Sequence, residues 1–381
     1  MSKDNVEKLY EGREHSRIKH EFLREYVKLL AIKIGMSGTS TINFVDGFAG
    51  PWGSVDEAKR SDTSFGVAIK TLEDVRGFMF SKGRKIQTRY FLCEKDPEAH
   101  TKLASFAEAK GKGVIALKGA FEDNLSTIDA AIDSRTDFTF TLVDPKGWKM
   151  GSNQVFDFLR RQKRCEVLLN FMSDHLNRHA EFPGVQESFG RFLGNVDWVN
   201  DYDELPDVWR NERRILHLFK SKLKAEGIAH YCPDMPIEHK DQKRTKMRLV
   251  LGTQHPKGVH VFRDVHEKMR NLEVAGKAKR TSTPSLFEPE TFAGPEYDDE
   301  AVGSDAQKSR ARELITALLG QTSPIAFKAL AVGVMEEVGV RPTHVKDVLI
   351  AAKSDGLISF ELSGRSRKPN DTTMIYLGRK A

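Results

Sequence analysis

The chain has 381 residues, with 60 Lys and Arg against 54 Asp and Glu, a formal net charge of +6 at pH 7. With 39% hydrophobic and 30% charged residues and a mean hydropathy of −0.47, it reads as a soluble protein of two or three domains, and no apolar run reaches the roughly 18–20 residues of a bilayer span. The charged start MSKDNVEKLYEGREHSR lacks a secretion signal's apolar core; Cys93, Cys165 and Cys232 form no CxxC pair, which argues against a disulfide framework or zinc ribbon and fits a cytoplasmic location.

In chain order, Ile18, Phe22, Tyr26, Leu29 and Leu30 keep helical spacing over 15–34, and Gly35 is a stop. TSTINFVDGF (39–48) reads as a buried strand running into a glycine-rich turn. Further strands are expected over 88–94, 113–119, 138–145 and 165–172, with helices over 61–76, 97–109, 124–134 and 152–163. That alternation predicts an α/β fold on a parallel sheet. Ligands of such sheets sit beyond the carboxyl ends of the strands. A long helix is expected over 206–226. MRLVLGTQHPKGVHVFRDV (247–265) reads as two strands around a His-Pro-Lys-Gly turn, an antiparallel edge to the sheet.

Polarity then switches. From Lys240 to Arg280 the chain is strongly basic, whereas Thr281 to Ala306 holds no Lys or Arg and gathers acids. Residues 282–304, rich in Ser, Thr, Pro and Gly, read as a linker. Beyond it, helices over 307–319, 324–338 and 342–355 precede strands 357–362 and 373–378, which flank the basic loop SGRSRKPND. Thr343 is the expected N-cap of the third helix and Gly356 its C′ residue. This is the order of a winged helix. The expected division is therefore 1–281, a linker at 282–304, and 305–381.

Four strand ends carry candidate chemistry. Asp46-Gly47-Phe48-Ala49-Gly50-Pro51-Trp52-Gly53 lets backbone approach a ligand closely, because glycine has no Cβ. Pro51 and Trp52 interrupt the loop, which favours a small zwitterion such as the methionyl part of S-adenosylmethionine; the alternative is a tight turn with no ligand. Glu94 ends the second strand, where an acid accepts the ribose hydroxyls of an adenosine or simply caps a helix. Asp123 lies either near a bound adenine or at a helix N-terminus. Asp144-Pro145-Lys146-Gly147-Trp148 follows the fourth strand: Asp144 and a backbone carbonyl would accept from an exocyclic amine, and Trp148 would stack on its base, which usually must be flipped out. The same residues also make an ordinary turn.

Lys19, at the start of the first helix, either reaches the carboxylate of a bound amino acid or belongs to a solvated basic face. His175, Arg178 and His179 read as a substrate-facing loop, and no metal site is assigned. In the last module Arg341, His344 and Lys346 lie on the recognition-helix position, and Arg365, Arg367 and Lys368 in the wing, as duplex binding requires. Such modules also dock proteins.

Taken together, Lys19-His20, VDGFAGPWG, FLCEKDP, FTLVDPKGW, VLLNFMSDHLNR, WRNERR and LVLGTQHPKGVHVFRDV resemble the three-Cys-motif partner proteins (TcmP) over most of the chain. The resemblance implies a class I methyltransferase-like Rossmann sheet with an antiparallel edge hairpin, followed by a GMT-like winged helix. It also implies association with a radical-adenosylmethionine-type protein that carries the three cysteines. The family commonly has Asp-Pro-Phe-Gly where this chain has Asp144-Pro145-Lys146-Gly147, and a weaker likeness reaches adenine-N6 methyltransferases of ribosomal RNA. The 47 residues between Asp46 and Glu94 exceed the usual spacing of about 20, so 54–85 reads as an insertion over the pocket.

The expectation is a methyltransferase using S-adenosylmethionine on a nucleic-acid base amine, with DNA ahead of RNA. Lys19, Asp46, Gly47, Phe48, Gly50, Glu94 and Asp123 would bind the cofactor, and Asp144, Pro145 and Trp148 would serve the transfer. The alternatives are a non-catalytic DNA-binding adaptor for the radical enzyme, and a metal-dependent nuclease using Asp46 and Asp144.

Overall fold

The computed structural model describes residues 9–10, 13–50, 54, 56, 60–145, 147, 150–172, 183–195, 197–206, 211–238, 245–281, 301–362 and 366–378. The chain divides into two compact units, residues 1–232 with 236–254, and residues 233–235 with 255–381.

The first unit is built on strands β1 (Thr41–Asp46), β2 (Gln87–Glu94), β3 (Val114–Lys118), β4 (Phe138–Val143) and β5 (Cys165–Phe171). With β6 (Asp234–Glu238) and β7 (Thr245–Thr253) they form a seven-stranded sheet in the order β3-β2-β1-β4-β5-β7-β6. The first five run parallel and β7 runs antiparallel to β5. The strand order reverses between β1 and β4, the place where open α/β sheets leave a crevice for ligands.

Side chains alternate across each strand, so every second residue meets the same layer. On one face Val45, Val143, Val167, Leu169 and Phe171 pack with Phe156, Phe158 and Leu159 of α5 (Ser152–Arg161). Phe189 of α6 (Pro183–Leu193) meets Trp198 of α7 (Trp198–Asp203) edge-on at 4.8 Å. Phe219 of α8 (Asn211–Ala225) joins the same core. The other face takes Phe44 and Phe140, stacked at 6.0 Å, under Tyr26 of α1 (Glu14–Met36). Ile18, Phe22, Tyr26 and Leu30 of α1, four apart, form the buried stripe that the spacing predicted.

Residues 54–85 lie between β1 and β2. They contain α2 (Ser64–Ser81), the crossover helix between β1 and β2, whose Phe65, Val67, Ala68, Ile69, Leu72 and Val75 are buried. Thr63 caps this helix, its side chain accepting from the Gly66 amide. After β2 come α3 (Pro97–Lys110), β3 and α4 (Phe121–Ala131).

The hairpin expected at 247–265 needs correction. Its first half is β7, but α9 (Pro256–Thr281) replaces the second strand. Val259, Phe262, Val265, His266 and Met269 are buried at three- and four-residue spacing, so the β-branched residues of VHVFRDV follow a helical stripe. The antiparallel edge is β7 with β6 beside it, and β6 was not expected.

The second unit contains α9, α10 (Asp305–Gln321), α11 (Phe327–Glu337) and α12 (Pro342–Ser354). Strands β8 (Ile325–Ala326), β9 (Ile358–Ser359) and β10 (Met374–Leu377) form an antiparallel sheet in the order β8-β10-β9. Arg341 and not Thr343 stands at the N-cap of α12, with Pro342 in its first turn. Gly356 follows the helix at φ +73°, a left-handed conformation that glycine tolerates. Most of the expected linker, 282–300, lies outside the described residues.

Arg263, among the largest fully buried side chains, ties this unit together. Its guanidinium donates to the Met335 and Glu336 carbonyls at the end of α11, at 2.6 and 2.9 Å, and to the Asp234 carbonyl at 2.7 Å. A cation there also answers the negative end of the helix dipole. Arg263→Met strands these carbonyls without donors and should cost at least about 3 kcal/mol. Hydrogen exchange should show faster amides across 327–337 in that variant; unchanged protection would refute the role.

In the first unit, Glu166 near the start of β5 is buried, and Tyr26 and Thr253 hydroxyls donate to its two oxygens at 2.8 and 2.7 Å. Burial outweighs these bonds and pushes its pKa up to about 7 from 4.5. A raised pKa means the neutral form favours folding: the contribution is full below pH 4.5 and is lost as pH rises through about 7. The difference is worth about 3 kcal/mol. Denaturation at pH 5 and pH 8 should therefore show a smaller loss of stability at pH 8 for Glu166→Gln than for the unaltered chain. An identical pH dependence would contradict this.

Candidate functional site at the carboxyl edge of the sheet

The alternation that packs the core also assembles the site. Phe44 faces α1, so Asp46 two residues on does too; Phe140 leads likewise to Asp144, and Glu166 to Asn170. Three polar groups thus emerge on one side at the carboxyl ends of β1, β4 and β5, where α1 presents Lys19.

Lys19 forms an ion pair with Asp144 Oδ2, the two side chains being 15% and 20% exposed. Asn170 Nδ2 donates to Asp144 Oδ1 at 2.6 Å. Burial acts to raise the Asp144 pKa, but Lys19 and the Asn170 bond outweigh it, and the carboxyl is held below its usual value. Asn170 is 5% exposed, and its Oδ1 has no hydrogen-bond partner among the described residues. An unpaired buried acceptor costs about 1–3 kcal/mol, which marks it as a place for an incoming donor. His20 lies beside Lys19 and shares a 2.9 Å hydrogen bond with the Tyr10 hydroxyl. Burial, helped by the Lys19 charge, pushes the imidazole down to about 3, so it is neutral at pH 7.

Asp46 is completely buried and occupied. The Phe48 amide donates to Oδ1 at 3.0 Å and the Ser64 hydroxyl to Oδ2 at 2.6 Å. Burial pushes its pKa up to about 6. It therefore orders the loop and joins it to α2. The loop is strapped on both sides: the Gly47 amide donates to Leu142 at 3.1 Å and the Ala49 amide to Cys93 at 2.9 Å. A Cβ on Gly47 would stand 2.7 Å from the Phe121 ring, so glycine is needed there for packing. Phe48 packs edge-on with Phe121, and Gly50 is half-buried.

Glu94, at the end of β2, is 5% exposed, and its Oε1 accepts from the Asp96 amide at 2.7 Å. No bond to its Oε2 occurs among the described residues, which leaves one carboxylate oxygen for a ligand. Asp123 takes the structural option: Oδ2 accepts from the Ala120 amide at 3.1 Å, at the start of α4. Pro145 is buried. Trp148, Lys146, Pro51, Trp52, His175, Arg178 and His179 lie outside the described residues.

The site thus brings together Lys19 and Asp144, two residues expected on different ligands, and adds Asn170 and Ser64, which the sequence reading passed over. Asn170 had a signal: it is a polar residue at the end of the apolar run CEVLLNF, on the same face as Glu166. Around the β1/β4 crevice the described residues offer the Lys19 cation, a Glu94 oxygen and an Asn170 acceptor that have no bond among those residues, and glycine backbone.

In the second unit most of the expected nucleic-acid contacts are engaged. Arg341 pairs with Glu267 and, at 3.2 Å, with Asp264. His344 Nδ1 accepts from the Arg341 amide at 3.3 Å, and burial lowers its pKa. Lys346 stands 5.1 Å from the centre of the Phe327 ring, and Lys368 pairs with Asp347 at 2.6 Å. Arg367 is exposed, and Arg365 lies outside the described residues. No group of three or more His, Cys, Asp and Glu that could hold a metal occurs among the described residues, and none of their helices is long and apolar enough to cross a membrane.

No family model and no curated protein matches the chain. Among solved structures, a Legionella pneumophila protein of family model DUF519 is 9% identical, over 66% of this chain and 91% of that one, with a TM-score of 0.37. The ORC2 protein of Aeropyrum pernix, in ADPNP and ADP complexes, is 14% identical over 93% and 88%, with a TM-score of 0.21. Both likenesses are too distant to carry an argument, so the reading of this chain rests on its own residues.

Proposed function

We propose that the chain is an S-adenosylmethionine-dependent methyltransferase acting on an amino group of a nucleic-acid base, allied to the three-Cys-motif partner proteins. The observation that carries this reading is the polar cluster at the β1/β4 crevice: Asp144, ionised and fixed by Asn170, with Lys19 and the glycine loop beside it and Glu94 two strands away, about 10 Å across the sheet. A five-stranded parallel sheet continued by an antiparallel strand supports a methyltransferase-like core.

Glu94 would accept the ribose hydroxyls, the Gly47–Gly50 backbone would lie along the methionyl chain, and Lys19 would meet its carboxylate. S-adenosylmethionine, when bound, supplies an electrophilic methyl group. Asp144 would hold the acceptor amine through an N–H, aiming its lone pair and stabilising the positive charge that develops on nitrogen; most of the acceleration is positioning. The nuclease reading gains less support, because Lys19 occupies the side of Asp144 where a metal ion would sit, and the Asp46 oxygens are engaged inside the loop.

For the second unit, three helices and a small antiparallel sheet support a winged helix. Arg341 and Lys368 would then exchange carboxylate partners for phosphates, an exchange of similar charge and modest cost at the exposed pair, and Arg367 would add to them.

Calorimetric titration should show S-adenosylmethionine binding that Glu94→Ala weakens by about 10–100-fold, the worth of charge-assisted hydrogen bonds. Radiolabelled methyl transfer to DNA and RNA should then disappear in Asp144→Ala. Binding without transfer to either nucleic acid would favour the adaptor; no binding at millimolar ligand would defeat the cofactor assignment.

A further inference from the structure

This inference rests on the cofactor reading above and concerns the order in which the site fills. We propose that Lys19 serves two ligands in turn: paired with Asp144 it closes the amine site in the free protein, and it moves to the methionyl carboxylate when the cofactor is present, opening Asp144 to the amine.

Three features support the switch. First, Asp144 is held twice and by different means, Lys19 on Oδ2 and Asn170 on Oδ1. Departure of Lys19 leaves the carboxylate fixed by Asn170, so the site opens without collapsing. Second, the opened face would present Asp144 Oδ2 and the unpartnered Asn170 Oδ1, two acceptors and no donor. A primary amine on an aromatic ring offers two N–H groups and suits that pair, whereas a hydroxyl with one proton leaves an acceptor unpaired. Third, lysine is a point charge on a flexible four-carbon stem. Its ammonium can change partners by rotation of its own bonds while Ile18 and Phe22 stay buried under α1. His20 does not compete for Asp144, because its ring is neutral and bonded to Tyr10.

The energetics make the order directional. Moving Lys19 away from a mostly buried carboxylate with nothing to replace it is unfavourable. A second anion within reach offsets that loss. The amine alone offers no anion and would have to compete with the ammonium for Asp144. Linkage then makes the effect reciprocal: what weakens the Lys19–Asp144 pair strengthens cofactor binding by the same free energy.

Two nucleosides separate the switch from ordinary pocket damage. S-adenosylhomocysteine carries the carboxylate; 5′-methylthioadenosine has the same adenosine and the same neutral thioether sulfur but no amino acid. Asp144→Asn in the full chain should raise S-adenosylhomocysteine affinity about tenfold, the worth of one partly buried pair, and leave 5′-methylthioadenosine within about twofold. Lys19→Met should lower affinity for the first ligand only, and adding Asp144→Asn to it should produce no further gain. Asp144→Ser removes the same charge and serves if Asp144→Asn does not fold. Unchanged S-adenosylhomocysteine affinity in the charge-removed variants, or an equal change for both nucleosides, would overturn the switch while leaving the cofactor reading intact. If the unaltered chain binds neither nucleoside, the cofactor reading fails and the switch falls with it.

Discussion

One face of α1 laid along one face of the sheet sets the geometry of the first unit. Tyr26 reaches Glu166 near the start of β5, and Lys19 reaches Asp144 just beyond the end of β4. Seven residues of helix cover about 10.5 Å, and the four residues from Glu166 to Asn170 cover about 13 Å of strand. These lengths differ by about 2.5 Å, a gap that the long Lys19 and Tyr26 side chains bridge, so a single rigid helix can bond to both ends of the sheet. Phe22, stacked on Tyr26 at 5.8 Å, is buried between the two polar contacts. The helix cannot slide along the sheet without breaking one contact or the other, and that fixes where the Lys19 ammonium stands.

The carboxylates of this face are buried in different ways, and the difference decides what each can do. Glu166 and Asp46 have only neutral donors, and burial raises both pKa values. Asp144 has a cation, and stays ionised despite the same desolvation. A structural acid can tolerate protonation near neutrality; an acceptor for an amine must not become a donor. The distribution of partners therefore separates two carboxylates at neighbouring strand ends, Asp46 bonded to neutral donors within the loop and Asp144 paired with a cation.

The alternating strands, the crossover helices and the strand-end acids were legible because each depends on a few consecutive residues. TINFVD announces a buried strand that ends in an acid, and Ile18, Phe22 and Tyr26 announce a stripe. The Lys19–Asp144 pair spans 125 residues, and no local pattern reports a contact of that kind. Asp123 illustrates a different limit: its carboxylate suits a helix cap and a ligand equally, and its bond to the Ala120 amide is not visible in the sequence. VHVFRDV was misread because Val259 and Val261 alternate with polar residues like a strand, whereas the stripe that places them, through Phe262, Val265, His266 and Met269, becomes visible only over about three turns.

Charge in the basic stretch from Lys240 to Arg280 shows why a count of cations overstates an electrostatic surface. Arg263 is spent on three carbonyls in the interior. Arg270 is 8% exposed and pairs with Glu273. Arg341, the first cation of the α12 end, faces Glu267 and Asp264, both of which arise from that same basic stretch. Local neutralisation of this kind weakens the field that would steer a polyanion from a distance, while leaving a short-range exchange of carboxylate for phosphate open at Arg341 and Lys368. Affinity for nucleic acid in such a unit would depend on contact geometry, and on the acids that must be displaced, more than on the +6 of the whole chain.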